Sequence, residues 1–341
     1  MNRLRMPRAR FRGTAKVPAI FLCAFVAGCS GTQTPLDPAG DQALRIVWLF
    51  WFFVGTCAVV WSAVVIVMLI AIARRRSAAE PQAANERGMN AAVGISTGIT
   101  VFILIVFTVS SYFTTRGFGA TPQNAVQITL TGKQWWWQIE YQGSKPSETF
   151  STANELHIPA GQAVSITLKS NDVIHSFWVP NLAGKQDLIP GRTNMITFTA
   201  VKPGIYRGQC AEFCGLQHAH MALLVIAQSP QEFAAWQAHE LSDAEMPNDP
   251  ERTRGLDVFL SSGCVACHSL RGTPASGLEG PDLTHVAARR TIAAGTLPNT
   301  RGTLQGWIAD PQGIKPGARM PRLELSAADL NAVSAYLAGL K

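Results

Sequence analysis

The chain has no histidine before His157, and its two longest apolar stretches, residues 46–73 and 91–113, contain no Asp, Glu, Lys, Arg or His. This absence excludes both stretches from ligating a buried haem or carrying a proton relay, because each role needs a side chain they lack. Charge is scarce throughout: Asp, Glu, Lys and Arg make up 15% of the residues, against roughly 25% in a soluble globular protein. The formal charge of +7 is also unevenly placed. Arg3, Arg5, Arg8, Arg10, Arg12 and Lys16 all precede Cys29, with no acidic residue among them. Without that segment the charge falls to about +1, so no basic domain remains and nothing argues for a nucleic-acid partner.

The basic segment runs into an apolar stretch at 17–26 and then into Val26-Ala27-Gly28-Cys29. This order reads as a secretory signal over residues 1–28. The last four residues resemble a bacterial lipobox, in which Cys29 becomes the lipidated first residue of the mature protein. Ordinary cleavage nearby, with Cys29 incidental, is the alternative. The apolar stretches that follow are each long enough to cross a bilayer, which needs about 20 residues. Arg74-Arg75-Arg76 and a polar connector with Pro81, Asn85 and Arg87 separate them. The arginines predict a cytoplasmic loop under the positive-inside rule. Residues 40–115 are thus expected to form a transmembrane helical hairpin. The rest of the chain is expected on the periplasmic or external side of a bacterial inner membrane.

From about residue 116 to 240 the composition changes. The segments 126–130, 163–168, 195–199 and 222–226 are rich in β-branched residues, and Pro159-Ala160-Gly161, Pro190-Gly191 and Pro203-Gly204 punctuate them. Short strands at this spacing predict an antiparallel β-sandwich. Within it, Cys210-x-x-x-Cys214-x-x-x-His218-x-x-Met221 offers two thiolates, an imidazole and a thioether. That soft set suits copper better than calcium or magnesium. A Cys210–Cys214 disulfide is chemically open to an exported chain but leaves His218 and Met221 unexplained. A zinc site is the other alternative, and the thioether argues against it.

This run resembles the CuA domain of cytochrome c oxidase subunit II. His175 within Asp172-Val-Ile-His-Ser-Phe-Trp-Val-Pro, the Gln134-Trp135-Trp136-Trp137 cluster, Asp187-Leu-Ile-Pro-Gly-Arg192 and the preceding hairpin extend the likeness over about residues 40–240. The resemblance implies a cupredoxin-like Greek-key sandwich holding two copper ions bridged by Cys210 and Cys214. It implies His175 and His218 as terminal ligands, Met221 as a weak axial ligand and the carbonyl of Glu212 as a further one. His220, two positions from His218, is the competing imidazole. The Glu212 carboxylate is implied as a ligand to magnesium shared with the catalytic subunit, and a solvated loop carboxylate is its plainer reading. Trp135 is implied as the electron-input residue, where packing on both strand faces would also account for the aromatics.

Residues 229–250 predict a helix started by Pro230 and a polar linker at 241–252. Beyond it, Cys264-Val-Ala-Cys267-His268 is a haem-attachment signature, with two thiols for thioether bonds and a histidine for the iron. A redox C-x-x-C or a zinc knuckle would share the spacing. The Lys315-Pro-Gly-Ala-Arg-Met320-Pro321 loop ahead of a helix at 327–340 resembles class I cytochromes c over about 253–341, with Met320 as sixth ligand. Gly280-Pro281 matches the segment whose proline carbonyl orients the proximal histidine. Trp307 is expected on the haem edge, and His285 is the alternative sixth ligand.

The whole order resembles subunit II of a caa-type oxidase: hairpin, all-β copper domain, then all-α cytochrome domain. This implies an electron-transfer subunit that takes electrons from cytochrome c or an upstream respiratory complex. They would pass from haem c to the copper pair and on to catalytic subunit I, which reduces dioxygen. A CuA-bearing nitric oxide reductase would use a similar relay. A quinol oxidase subunit would be expected to lack the cysteines, and a copper-delivery protein would not need the haem.

Overall fold

The computed structural model describes residues 31, 33–74, 86–119 and 122–341. The expected signal segment, Cys29, Arg75 and Arg76 lie outside the described residues. Among the described residues, helices α1 (Asp41–Ala73) and α2 (Glu86–Thr115) are the two long enough and apolar enough to cross a membrane. Each begins before its uncharged stretch, so Asp41 and Glu86 occupy first turns, where a carboxylate favours the helix dipole. Phe53 stacks on Phe107 across the hairpin at 4.2 Å between ring centroids. The hydroxyls of Thr56, Thr100 and Thr108 each donate to the carbonyl one turn back. That satisfies them within the helix, as a lipid environment requires.

Ten strands follow: β1 (Val126–Lys133), β2 (Trp136–Tyr141), β3 (Phe150–Ala153), β4 (Glu155–Pro159), β5 (Ala163–Ser170), β6 (His175–Trp178), β7 (Gln186–Leu188), β8 (Asn194–Thr199), β9 (Gly204–Cys210) and β10 (Ala222–Gln228). They make two five-stranded sheets, ordered β3-β2-β1-β5-β8 and β4-β10-β9-β6-β7. The pairs β1–β5 and β4–β10 are parallel and the others antiparallel, so the sandwich is mixed where pure antiparallel pairing was expected. The parallel pairs arise because a crossover to the opposite sheet intervenes between their strands. Leu130, Ile139, Leu156, Ile166, Phe177 and Val225 fill the space between the sheets.

The segment before α1 is stitched to this sandwich. Ala39 and Gly40 both donate N–H to the carbonyl of Asn181, and Val201 donates to the carbonyl of Ala39. Thr199 N–H reaches the Asp41 carboxylate at 2.8 Å, and buried Gln42 donates to the Thr197 carbonyl at 2.8 Å.

Helix α3 (Pro230–Glu240) opens with a capping box of Ser229 and Glu232. It lays Phe233 and Trp236 on Tyr141, Phe150 and His157. The last region holds α4 (Pro250–Ser261), α5 (Arg301–Ala309), α6 (Pro311–Ile314) and α7 (Ala327–Leu337). A two-residue ladder, β11 (Thr291–Ile292) with β12 (Leu297–Pro298), is added to the expected all-α arrangement. Helix α4 starts at Pro250, so the end of the expected linker is its first turn. Ala244, inside that linker, is buried and donates its N–H to the Arg271 carbonyl.

The helical region rests on the sandwich through specific bonds. The Glu155 carboxylate, on β4, accepts the N–H groups of Arg290 at 2.6 Å and Thr291 at 3.1 Å. Ala222 on β10 donates to the Ala294 carbonyl at 3.0 Å.

Candidate metal centres

Strand β6 delivers His175, the end of β9 delivers Cys210, and the loop from Cys210 to Met221 closes over them. The loop is tight: Cys210 N–H bonds the Met221 carbonyl at 2.9 Å, and His218 N–H bonds the Gly215 carbonyl at 3.1 Å. The result is a buried cluster in which the two cysteine sulfurs lie 3.7 Å apart. Cys210 Sγ is 3.9 Å from His175 Nδ1, and Cys214 Sγ is 3.6 Å from His218 Nδ1 and 3.8 Å from Met221 Sδ. The Glu212 carbonyl stands 3.1 Å from Cys210 Sγ, while the residue itself is exposed. Both cysteines are free thiols. His220 turns away and bonds Gln217 Oε1 at 2.8 Å.

The second nitrogen of His175 is fixed by Asp172, at 2.8 Å. Burial opposes charge on His175, yet the bonds to Asp172 and Cys210 outweigh it and raise its pKa. Burial also opposes charge on Asp172, but the His175 bond and the N–H groups of Gln134 and Val173 bring it down to about 2. The hydrogen bond between the sulfurs pulls Cys210 down and pushes Cys214 up. Gly132 permits the approach of the imidazole, since a Cβ there would lie 2.7 Å from the His175 ring. Two sulfurs, two imidazole nitrogens and a thioether turned inward fit copper.

Forty to a hundred residues on, a cavity lined mostly by apolar side chains gathers Cys264, Cys267, His268, Trp307 and Met320. The His268 Nδ1 bonds the Pro281 carbonyl at 2.8 Å, which leaves Nε2 as its free ligand atom. Gly280 is needed beside it, because a Cβ would fall 2.6 Å from the ring. Burial lowers the pKa of His268, keeping the imidazole neutral as a ligand should be. Cys264 and Cys267 are free. Arg289 lines the same cavity with its Nε buried and unpartnered, which suits the carboxylate of a haem propionate. The cavity fits a haem. His285 is not among the lining residues: its ring bonds the carbonyls of Lys341 and Ser242.

Trp135 and Trp136, from the sandwich, line this cavity as well. The Trp135 ring is buried and its Nε1 donates to the Cys214 carbonyl at 2.9 Å. The two candidate centres therefore share a wall.

Residues 145–228 match the family described as cytochrome C oxidase subunit II, periplasmic domain, and residues 253–341 match cytochrome c. The chain is 35% identical to the cytochrome c oxidase subunit 2 of Alkalihalophilus pseudofirmus, over 95% of this chain and 96% of the relative. The chain belongs to the cytochrome c oxidase subunit 2 family. Two further relatives are similar over about two thirds or more of this chain. The Bacillus subtilis protein is 30% identical, over 65% of this chain and 64% of its own. The Bacillus sp. strain PS3 protein is also 30% identical, over 72% and 73%. Membership with a C-terminal cytochrome c domain is consistent with a fusion of the caa type and implies copper and haem c in general terms.

Sequence reasoning missed Asp172, Gln134, Lys315 and Glu155 as working residues. Asp172 had a signal, since a carboxylate three residues before a candidate ligand histidine is a common orienting arrangement. Gln134 acts inside the copper half, its N–H on the Asp172 carboxylate and its side-chain amide on the Cys214 carbonyl, whereas Lys315 and Glu155 act through contacts between the two exported halves.

Proposed function

We propose that this chain is the electron-transfer subunit of a respiratory haem–copper oxidase, passing electrons from a c-type haem to a CuA pair and on to catalytic subunit I. The observation that carries the reading is the shared wall: Trp135 lines the cavity around His268 and bonds the Cys214 carbonyl. When bound, haem c and the copper pair supply one-electron transfer, and no dioxygen chemistry falls to this chain. Cys264 and Cys267 would tether the haem, and His268 and Met320 would hold its iron. His/Met ligation raises the haem's reduction potential, as an acceptor from upstream carriers needs. Cys210, Cys214, His175, His218, Met221 and the Glu212 carbonyl would hold the copper pair, each offering one donor atom.

Burial excludes water from His175, Cys210, Cys214 and Met221, and the β-scaffold limits how far they relax between redox states. Trp135 is the electron-input residue, here fed by a tethered donor. Tethering makes that transfer intramolecular, so it is independent of each encounter with a free donor. The exposed Glu212 carboxylate offers one oxygen to magnesium at the contact with subunit I. The domains run 1–28 as signal, 40–115 as membrane hairpin, 116–240 as copper domain, 241–252 as linker and 253–341 as cytochrome. Cys29 is lipidated, and the exported domains lie on the periplasmic side of the bacterial inner membrane, where cytochrome c or an upstream complex is the donor.

The test is the purified complex. A purple mixed-valence copper spectrum, haem c content of one per chain and turnover on dioxygen are expected. A mononuclear or copper-free spectrum after metal is restored, or turnover on nitric oxide alone, sinks the reading.

A further inference from the structure

Between the two exported halves lies a lysine that none of the chemistry above uses. Lys315 is 3% exposed, and its ammonium donates to the carbonyls of Trp135 at 2.7 Å, His220 at 2.8 Å and Ala293 at 3.0 Å. An ammonium has three N–H donors, and each is spent on a different stretch of chain. Two of those stretches belong to the copper domain. No carboxylate lies within ion-pair distance of it among the described residues. A buried cation is costly unless its hydrogen bonds are satisfied, and here they are satisfied only while the halves stay together. Burial brings the Lys315 pKa down to about 7, because desolvation penalises the charged form.

The neighbours of Lys315 point the same way. Gln217, in the copper-site loop, donates to the Pro316 carbonyl at 2.8 Å. Gly317 lies so close to the indole that a Cβ there would be 3.4 Å from the Trp135 ring. The loop that carries Met320 is thus seated on the residue that bonds the Cys214 carbonyl.

We propose that Lys315 is a positioning residue, a latch that fastens the methionine loop to the Trp135 backbone and so sets the separation of the two centres. This rests on the electron-transfer reading above. It has a consequence for donors: with Trp135 only 8% exposed beneath the latched loop, a free one-electron donor delivers to the haem half and not to the tryptophan.

The experiment uses the oxidase with copper and haem loaded, carrying the native chain, Lys315→Met or Lys315→Gln. Three quantities are read: the haem and copper spectra, the rate of haem-to-copper transfer after flash reduction, and protease nicking at residues 242–249. The variants are expected to keep both spectra, to transfer several-fold more slowly, because electron tunnelling weakens exponentially as the centres separate, and to be nicked faster. Native transfer and native linker protection in both variants overturn the latch. An altered haem spectrum with unchanged linker protection also overturns it, because the lysine would then serve only its own loop. If the native chain itself shows no transfer, the electron-transfer reading fails, and linker protection alone decides the latch.

Discussion

In the copper half the donor atoms already meet: two sulfurs, two imidazoles and a thioether lie within 4 Å of their neighbours, held by strand β6, strand β9 and one tight loop. In the haem half the corresponding residues ring an apolar cavity, and of them only the orientation of His268 is fixed by a hydrogen bond to a neighbouring carbonyl. The difference follows from where each half gets its core. The sandwich buries Leu130, Ile139, Phe177 and Val225 between sheets whether or not the cluster is filled. The cytochrome half spans fewer than a hundred residues, and many of its apolar side chains face the cavity instead of one another.

Removing the thiols tests this contrast most severely. Cys264→Ala with Cys267→Ala is expected to abolish haem attachment and the cooperative melting of the 253–341 region, while the sandwich still folds. Cys210→Ser is expected to abolish the purple copper signal and leave the sandwich melting cooperatively. Thermal melts followed by circular dichroism, with metal and haem analysis, check both. Loss of the sandwich transition in Cys210→Ser would erase the distinction.

Acid should also separate the halves. Burial lowers His157 in the copper half from 6.5 to about 4, so its imidazole is neutral in the fold while the unfolded chain protonates first. Its contribution is therefore full above about pH 6.5 and declines as pH falls toward 4, by roughly 3 kcal/mol over the window. His157→Gln should flatten that part of the pH profile of sandwich melting. An unchanged slope would show that other groups set it.

A matched pair sharpens the comparison at smaller amplitude. Gly132→Ala and Gly280→Ala each force a methyl against a candidate ligand imidazole, His175 at 2.7 Å and His268 at 2.6 Å. Overpacking costs about 1–3 kcal/mol. The first should shift only the copper spectrum and the second only the haem spectrum; cross-effects would reveal coupling through the shared wall. The mildest change is Asp172→Asn, which leaves shape intact but removes the charge behind His175. Copper affinity is expected to fall about 10- to 100-fold, as read by competition with a chelator, with the haem spectrum unmoved.

The parts legible in the sequence are those in which chemistry is local. Cys210, Cys214, His218 and Met221 lie on one loop, and Cys264, Cys267 and His268 on one turn, so spacing alone brings them together. The four β-branched segments became β1, β5, β8 and β10. Shorter β3, β4, β6 and β7 carry too few β-branched residues to stand out, and the crossovers that make β1–β5 and β4–β10 parallel leave no local trace. The docking of the halves was equally invisible, since the Glu155 carboxylate and the Lys315 ammonium bond backbone atoms more than 90 residues away. Backbone partners carry no side-chain signature. His220 and His285 are composition without placement: each has a suitable ring, and each ring is bonded elsewhere.

The stitching at the top of α1 has a mechanical side. A helix of 33 residues is about 50 Å long, against about 30 Å of hydrocarbon. Because Asp41 and Gln42 grip the backbone of β8 without a hinge, α1 acts as a stanchion set directly into the sandwich. A tilt of that stanchion would be passed to the sandwich through those two bonds.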